Sequence, residues 1–319
     1  MSLPAWELLS LHVSLGAVGV SWALCLAWGV HPSPSELTAL WAAVSAVYCL
    51  DHASDASKTL SLSSNSSPTS SSTSTSSSSS TSSSTYAIAR RLSQRAHLPL
   101  LKSAAAVSLV IGALSALFLT QGTLLLGLGL CALCALYLWW VSRLQASASL
   151  YKKLMVLVMY PLGLSVPVLS HLLSPILAPI LSQSSLGGSS EAQPISVELT
   201  WASGLTATLQ LVLFVGANLA LFASMEREGG AREGGALTQE GRGLSLLSVG
   251  ASALSLALLT LSGLRGSTHM SFGLIALLLG LFALLSLYTP TRLWLSEGER
   301  YRAWVDGLLL LAWLSPLLS

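Results

Sequence analysis

Residues 36–55 read ELTALWAAVSAVYCLDHASD: an apolar run from Glu36 to Leu50, closed by two carboxylates, Asp51 and Asp55. On a helix the four-residue spacing puts both acids on one face, about one turn apart. Two like charges so placed repel unless a cation, basic side chains or water offset them. An aspartate at membrane depth is costly and usually functional. The plainer reading is a solvated helix end that carries two acids.

The chain around this stretch is 52% hydrophobic and only 9% charged over its 319 residues, whereas a soluble domain carries about 25% charged residues. This composition predicts a single all-α membrane domain, 1–319, that is integral and multi-pass. Hydropathy marks nine apolar segments, at 10–30, 36–50, 103–120, 122–141, 154–173, 199–224, 243–262, 270–288 and 303–318. The third and fourth, split only by Gln121, Gly122 and Thr123, read as a tight helical hairpin. Pro161 and Pro167 predict a kink in the fifth. The N-terminus lacks a basic stretch and a small-residue cleavage site, so no removable signal peptide is expected. Cys25, Cys49, Cys131 and Cys134 all lie in or beside apolar segments and read as small packing residues.

With nine spans, every Lys and Arg except Arg265 falls in the loops after segments two, four, six and eight. The positive-inside rule makes that face cytoplasmic, with the N-terminus inside. Residues 61–85, almost wholly Ser and Thr, cannot bury enough apolar surface to offset ordering entropy and read as a disordered insertion in the first cytoplasmic loop. In the outer loop after segment five, residues 176–181 read as a short interfacial piece.

Four features gather on the cytoplasmic face. They are Asp51 with Asp55; Arg90, Arg91 and Arg95 with His97; Tyr151, Lys152 and Lys153; and Asn218 with Phe222, Glu226 and Glu228. Carboxylates hold Mg²⁺, which usually bridges to substrate phosphates. Lys and Arg clamp the same phosphates. A diphosphate with an apolar tail would place its head at this face and its tail between the helices. Departure of diphosphate would be helped by the metal and the bases, and aromatic faces such as Tyr48 and Tyr151 could shield a carbocation. Each group also has a plainer role: basic residues anchor helix ends at the interface, and an intramembrane Asn most often bonds a neighbouring helix.

This layout resembles the UbiA superfamily of intramembrane prenyltransferases, which have nine transmembrane helices and Asp-rich motifs after helices two and six. In the first family motif, NDxxDxxxD, Asp51 falls at the Asn position and Asp55 at the next acidic one, with His52 and Thr59 where the other acids would stand, and the arginines that follow it are matched by Arg90, Arg91 and Arg95. The second, DxxxD, is matched by Glu226, with Gly230 where its partner acid would stand. Tyr151, Lys152 and Lys153 look like the family's segment leading into helix five. The resemblance implies a UbiA-like bundle that moves an isoprenoid from its diphosphate to a lipid-soluble, possibly aromatic acceptor. Asp51, Asp55 and Glu226 would hold Mg²⁺, and Arg90, Arg91, Arg95, Lys152 and Lys153 the diphosphate. Tyr48, His97, Tyr151, Asn218, Phe222 and Glu228 would line the substrate pocket. The setting would be the bacterial inner membrane or its equivalent, with membrane lipid rather than nucleic acid as surroundings. The missing acids keep open an alternative: a catalytically degenerate relative that binds a lipid or serves as a scaffold.

Overall fold

The computed structural model describes residues 11–64, 96–143, 149–182, 200–228, 239–262, 267–288, 304–305 and 307–318, and over them the chain is helical with no strand. The helices are α1 (Leu11–Ala27), α2 (Pro34–Ser64), α3 (Leu98–Ala116), α4 (Gln121–Arg143), α5 (Ser149–Ser182), α6 (Thr200–Glu228), α7 (Gln239–Ser262) and α8 (Ser267–Leu285). A 3₁₀ segment (Leu309–Trp313) runs into α9 (Leu314–Leu318). Over the described residues the first eight apolar segments thus fall on α-helices, and the ninth on the 3₁₀ segment and α9. Three stretches, Leu98–Ala116, Trp201–Ser224 and Arg242–Thr260, are long and apolar enough to cross a membrane. At 1.5 Å per residue the shortest of them spans about 28 Å, close to the thickness of the hydrocarbon core. Shorter apolar helices cover Leu11–Ala27, Gln121–Tyr137, Leu157–Leu173 and Met270–Leu285. These lengths are compatible with a membrane protein; nine full spans are not established by them.

α1 is the centre of the bundle. It is apolar on nearly every side, as suits a helix buried along most of its surface, and it packs against α2, α5, α6, α8 and the 3₁₀ segment. Close approach is possible because small residues line it. A Cβ on Gly16 would collide with Leu309, and one on Gly19 with the Trp313 indole. The Trp313 Nε1–H donates to the Leu15 carbonyl at 2.9 Å, and its ring meets Trp22 edge to face. α1 ends in a Schellman turn: Gly29 has φ 69°, Val30 N–H donates to Cys25 O at 2.8 Å, and Gly29 N–H to Leu26 O at 3.0 Å. Only glycine takes that φ without strain.

The helices alternate in direction. Leu101 and Ala105 at the start of α3 pack on Cys49 and Ala53 far along α2, while Gly112 near its end faces Ala42. Trp28 at the end of α1 lies over Gly204 at the start of α6 and donates from Nε1 to Thr208 Oγ1 at 3.2 Å. Ser224 near the end of α6 bonds Ser245 near the start of α7 at 2.8 Å, and Ser245 bonds Ser286 after α8 at 3.1 Å.

Three expectations need correction. The third and fourth segments do not form a packed hairpin: the break falls at 117–120, and Gln121, Gly122 and Thr123 make the first turn of α4 with the Thr120 hydroxyl accepting from Thr123 N–H. Beyond that turn α3 packs along α2 and α4 along α5, and the two barely touch among the described residues. α5 keeps its helical assignment through both prolines, the sites where a kink is expected; Ser165 donates to Pro161 O and Ser170 to Pro167 O, each at 2.8 Å. Residues 176–181 are its last part rather than a separate interfacial piece. α2 continues through Asp51 and Asp55 to Ser64, four residues into the Ser/Thr tract; 65–85 lie outside the described residues.

Candidate functional site

The end of the bundle at which α2 and α6 finish and α3 and α7 begin carries the residues singled out above. Because α2 is unbroken there, Asp51 and Asp55 share a stripe with Leu40 and Val44, within about 60° of each other around the helix. Leu40 and Val44 pack against the main core, so α2 turns this side inward as far as Asp51, whereas Cys49 and Ala53 on the far side of α2 face α3. Asp51 is half-buried. α2 therefore does not end at the two acids but runs past them. Tyr48 and His52 flank them, their rings edge to face with centroids 6.3 Å apart and planes at 81°.

His97 sits at the N-cap of α3, half-buried, with its carbonyl accepting from Leu101 N–H at 3.0 Å and no side-chain cap. Pro99 in the first turn costs the helix nothing there, since those N–H groups have no partner within the helix. Tyr151, Lys152 and Lys153 lie in the first turns of α5. Arg90, Arg91 and Arg95 lie outside the described residues.

α6 is helical through Glu228. Glu226 and Glu228 therefore stand about 200° apart around it. Glu228 is not the one-turn partner of Glu226, and the two acids do not share a helix face. Phe222 packs against the central core. Asn218 lies on the face of α6 that also carries Leu211, Phe214 and Val215, and its Oδ1 is buried without a hydrogen-bond partner. The interhelical bond expected of a lone intramembrane Asn is not made. An unsatisfied buried amide oxygen costs about 1–3 kcal/mol.

α2 and α6 do not pack on one another among the described residues; α1 and α5 stand between them and touch both. Among the described residues no group of three His, Cys, Asp or Glu side chains gathers to hold a metal ion. By donor chemistry Asp51 and Asp55 suit Mg²⁺, which binds through one or two carboxylates and completes its shell with water and phosphate oxygens. The third acid, Glu226, is not brought to them in the described region.

At the opposite end stands a cluster that the reading of the sequence passed over. Ser33 and Glu36 form a capping box at the start of α2: Glu36 N–H donates to Ser33 Oγ at 3.2 Å, and Ser33 N–H to Glu36 Oε2 at 2.8 Å. Thr123 Oγ1, in α4, donates to Glu36 Oε1 at 2.9 Å. The S-x-x-E spacing before an apolar run was the available signal.

The chain matches no known family model, no curated protein and no solved structure.

Proposed function

We propose that the protein is a multi-pass membrane protein, its N-terminus on the cytoplasmic side of a bacterial-type inner membrane, that transfers an isoprenoid chain from its diphosphate to a lipid-soluble acceptor in UbiA-like fashion. The observation that carries this reading is the inward stripe of α2. Along it α2 carries Asp51, and Asp55 one turn further on, toward the end of the bundle where α3 and α5 begin with His97, Lys102, Lys152 and Lys153 in the chain. Acid and base beside an apolar interior suit a ligand with a charged head and a hydrocarbon tail.

In this reading Asp51 and Asp55 hold Mg²⁺, with Glu226 as the third acid, and the metal neutralises charge that builds on the departing diphosphate. Lys152, Lys153 and the arginines at 90, 91 and 95 hold the phosphate oxygens, Arg by paired N–H donors. Tyr48 and Tyr151 offer ring faces to positive charge at the freed carbon. His97, Asn218 and Phe222 line the space for tail and acceptor. Glu228, about 200° around α6 from Glu226, would line the pocket rather than join the metal-holding acids.

The test is incubation with labelled isoprenyl diphosphates of several lengths, Mg²⁺ and a membrane-extracted acceptor pool. A Mg²⁺-dependent product that Asp55→Ala abolishes supports the proposal; absence of product at every chain length counts against it. One observation favours the second reading, a lipid-binding relative without turnover: the second acidic motif is not rebuilt by Glu228. Diphosphate binding that is tight, indifferent to Mg²⁺ and unaccompanied by product would select it.

A further inference from the structure

Glu36 is a buried carboxylate held by neutral donors. It is 5% exposed, and Thr123 beside it is 3% exposed. Its Oε2 accepts from the Ser33 N–H at 2.8 Å and the Ser33 hydroxyl at 3.0 Å, and its Oε1 from the Thr123 hydroxyl at 2.9 Å. A hydroxyl has one proton to give. That of Thr123 goes to Glu36, so in the 2.9 Å contact between Thr120 Oγ1 and Thr123 Oγ1 it is Thr120 that donates. The two hydroxyls form a short relay with both protons turned toward the carboxylate, which is the polarity an ionised acid requires. The stretches around it supply no counter-charge: residues 28–50 and 103–142 contain no Lys, Arg or Asp and no other Glu. The titratable side chains on the elements at this end are Cys25 on α1, His31 just before α2 and His171 on α5, and the Cys25 thiol lies within electrostatic reach of Glu36. The first turns of α4 carry none.

Protonation changes what this network can hold. Hydrogen bonds to an ionised carboxylate are about twice as strong as neutral ones, so the Thr123 bond weakens when the charge goes. The new carboxyl O–H also needs an acceptor, and the Thr120–Thr123 relay offers one only after reversing its protons. α4 packs chiefly along α5, and the Thr123 bond joins its first turn to α2. The break at 117–120 separates that turn from α3. We propose that Glu36 and Thr123 form an acid-released latch: ionised Glu36 holds the first turn of α4 against α2, and protonation frees it. The latch is closed while the carboxyl is ionised and opens as pH falls through its titration. On the orientation proposed above this end of the bundle faces outside, so the latch senses acidity on the outer side. That side rests on the proposed orientation; the latch itself does not.

Hydrogen–deuterium exchange tests it on the purified full chain in detergent, where orientation and isoprenoid substrates play no part. Protection of residues 117–126, corrected for intrinsic exchange, is compared at about pH 7 and about pH 3.5, on either side of the ordinary carboxyl range. Wild type should lose about tenfold in protection there on acidification, while residues 207–224 of α6 keep theirs. Glu36→Gln holds the neutral state at every pH, so its 117–126 segment should sit at the acid level of wild type under both conditions. Thr123→Val should do the same and serves if Glu36→Gln does not fold. Unchanged protection of 117–126 in wild type overturns the latch, as does a pH response that survives either substitution. Equal loss in α6 is acid unfolding of the bundle rather than release of α4, and overturns it too. None of these outcomes bears on the proposed transfer reaction, and failure of that reaction leaves the latch standing.

Discussion

Thr123 Oγ1 donates a 2.9 Å hydrogen bond to Glu36 Oε1, joining the start of α4 to the start of α2 across 87 residues of sequence. It fastens two helices that otherwise have separate partners. The same carboxylate accepts from the Ser33 N–H and hydroxyl at 2.8 and 3.0 Å through its other oxygen. Ser33, Ser35, Glu36, Thr120 and Thr123 thus form one hydroxyl-and-carboxylate network where two interhelical turns meet.

The first prediction concerns this network. Glu36→Ala removes at once the acceptor of the Thr123 hydroxyl, the Ser33 hydroxyl and the Ser33 N–H. Leaving buried donors unmet costs about 1–3 kcal/mol each. Loss of the carboxylate should therefore lower the unfolding midpoint in detergent by several degrees. Thr123→Val, which keeps the shape and removes one donor, should cost less. Equal melting curves for wild type and Glu36→Ala would show that the network carries no stability.

A second prediction comes from the outer end of α6. Gly204 lies directly under the Trp28 ring, so that a Cβ there would overlap three ring atoms. The indole has nowhere to go: Trp201 meets it edge to face at 5.2 Å, and its Nε1–H is held by Thr208. Gly204→Ala should destabilise by about 1–3 kcal/mol, the range for over-packing a filled core. Gly250, where a Cβ meets nothing within 4 Å, is the control: Ala there should be neutral or slightly stabilising through helix propensity. Thermal unfolding of the two variants side by side decides it.

Much of this architecture could be read from hydropathy alone, because apolar length is the dominant signal in such a chain. Every apolar segment became helix, and the Asp51–Asp55 spacing became a shared helix stripe. Helix ends were less legible. The Gly29 turn and the Ser33–Glu36 capping box follow local rules that a hydropathy reading passes over, and α2 overran the apolar segment by more than three turns. Partner choice was not legible at all. That α3 would follow α2 and α4 would follow α5, rather than α3 pairing with α4, depends on side-chain fit such as Gly112 on Ala42 and Gly163 on Leu130. The same limit applies to the site. Sequence placed Asp51 and Glu226 at one end of the bundle, but it could not show that α1 and α5 stand between their helices.

The third prediction separates the two acids of α2 from Glu226. Asp51 and Asp55 share a stripe, whereas Glu226 lies on a helix that does not pack on theirs. If the pair is the metal-binding unit, Asp51→Asn and Asp55→Asn should each abolish Mg²⁺-dependent turnover or Mg²⁺-dependent diphosphate binding. Glu226→Gln should weaken it less, and Glu228→Gln should leave it unchanged. Equal losses for Glu226→Gln and Asp55→Asn would mean that the end of α6 reaches the α2 stripe when ligand is bound.

The last prediction turns on Asn218. Its Oδ1 is buried and makes no hydrogen bond, so Asn218→Leu, with the same number of side-chain heavy atoms, removes a desolvated polar group and breaks no bond. Purely structural reasoning then predicts unchanged or raised stability, by up to about 1–3 kcal/mol. Most substitutions of buried polar residues go the other way, because partners are left behind. If Asn218 lines the pocket, as proposed, the same variant should be more stable yet poorer in transfer, with diphosphate binding intact because the head sits nearer the helix ends. A stabilised variant with full activity would make Asn218 a packing residue. A destabilised one would show that the amide has a partner in the membrane-embedded protein.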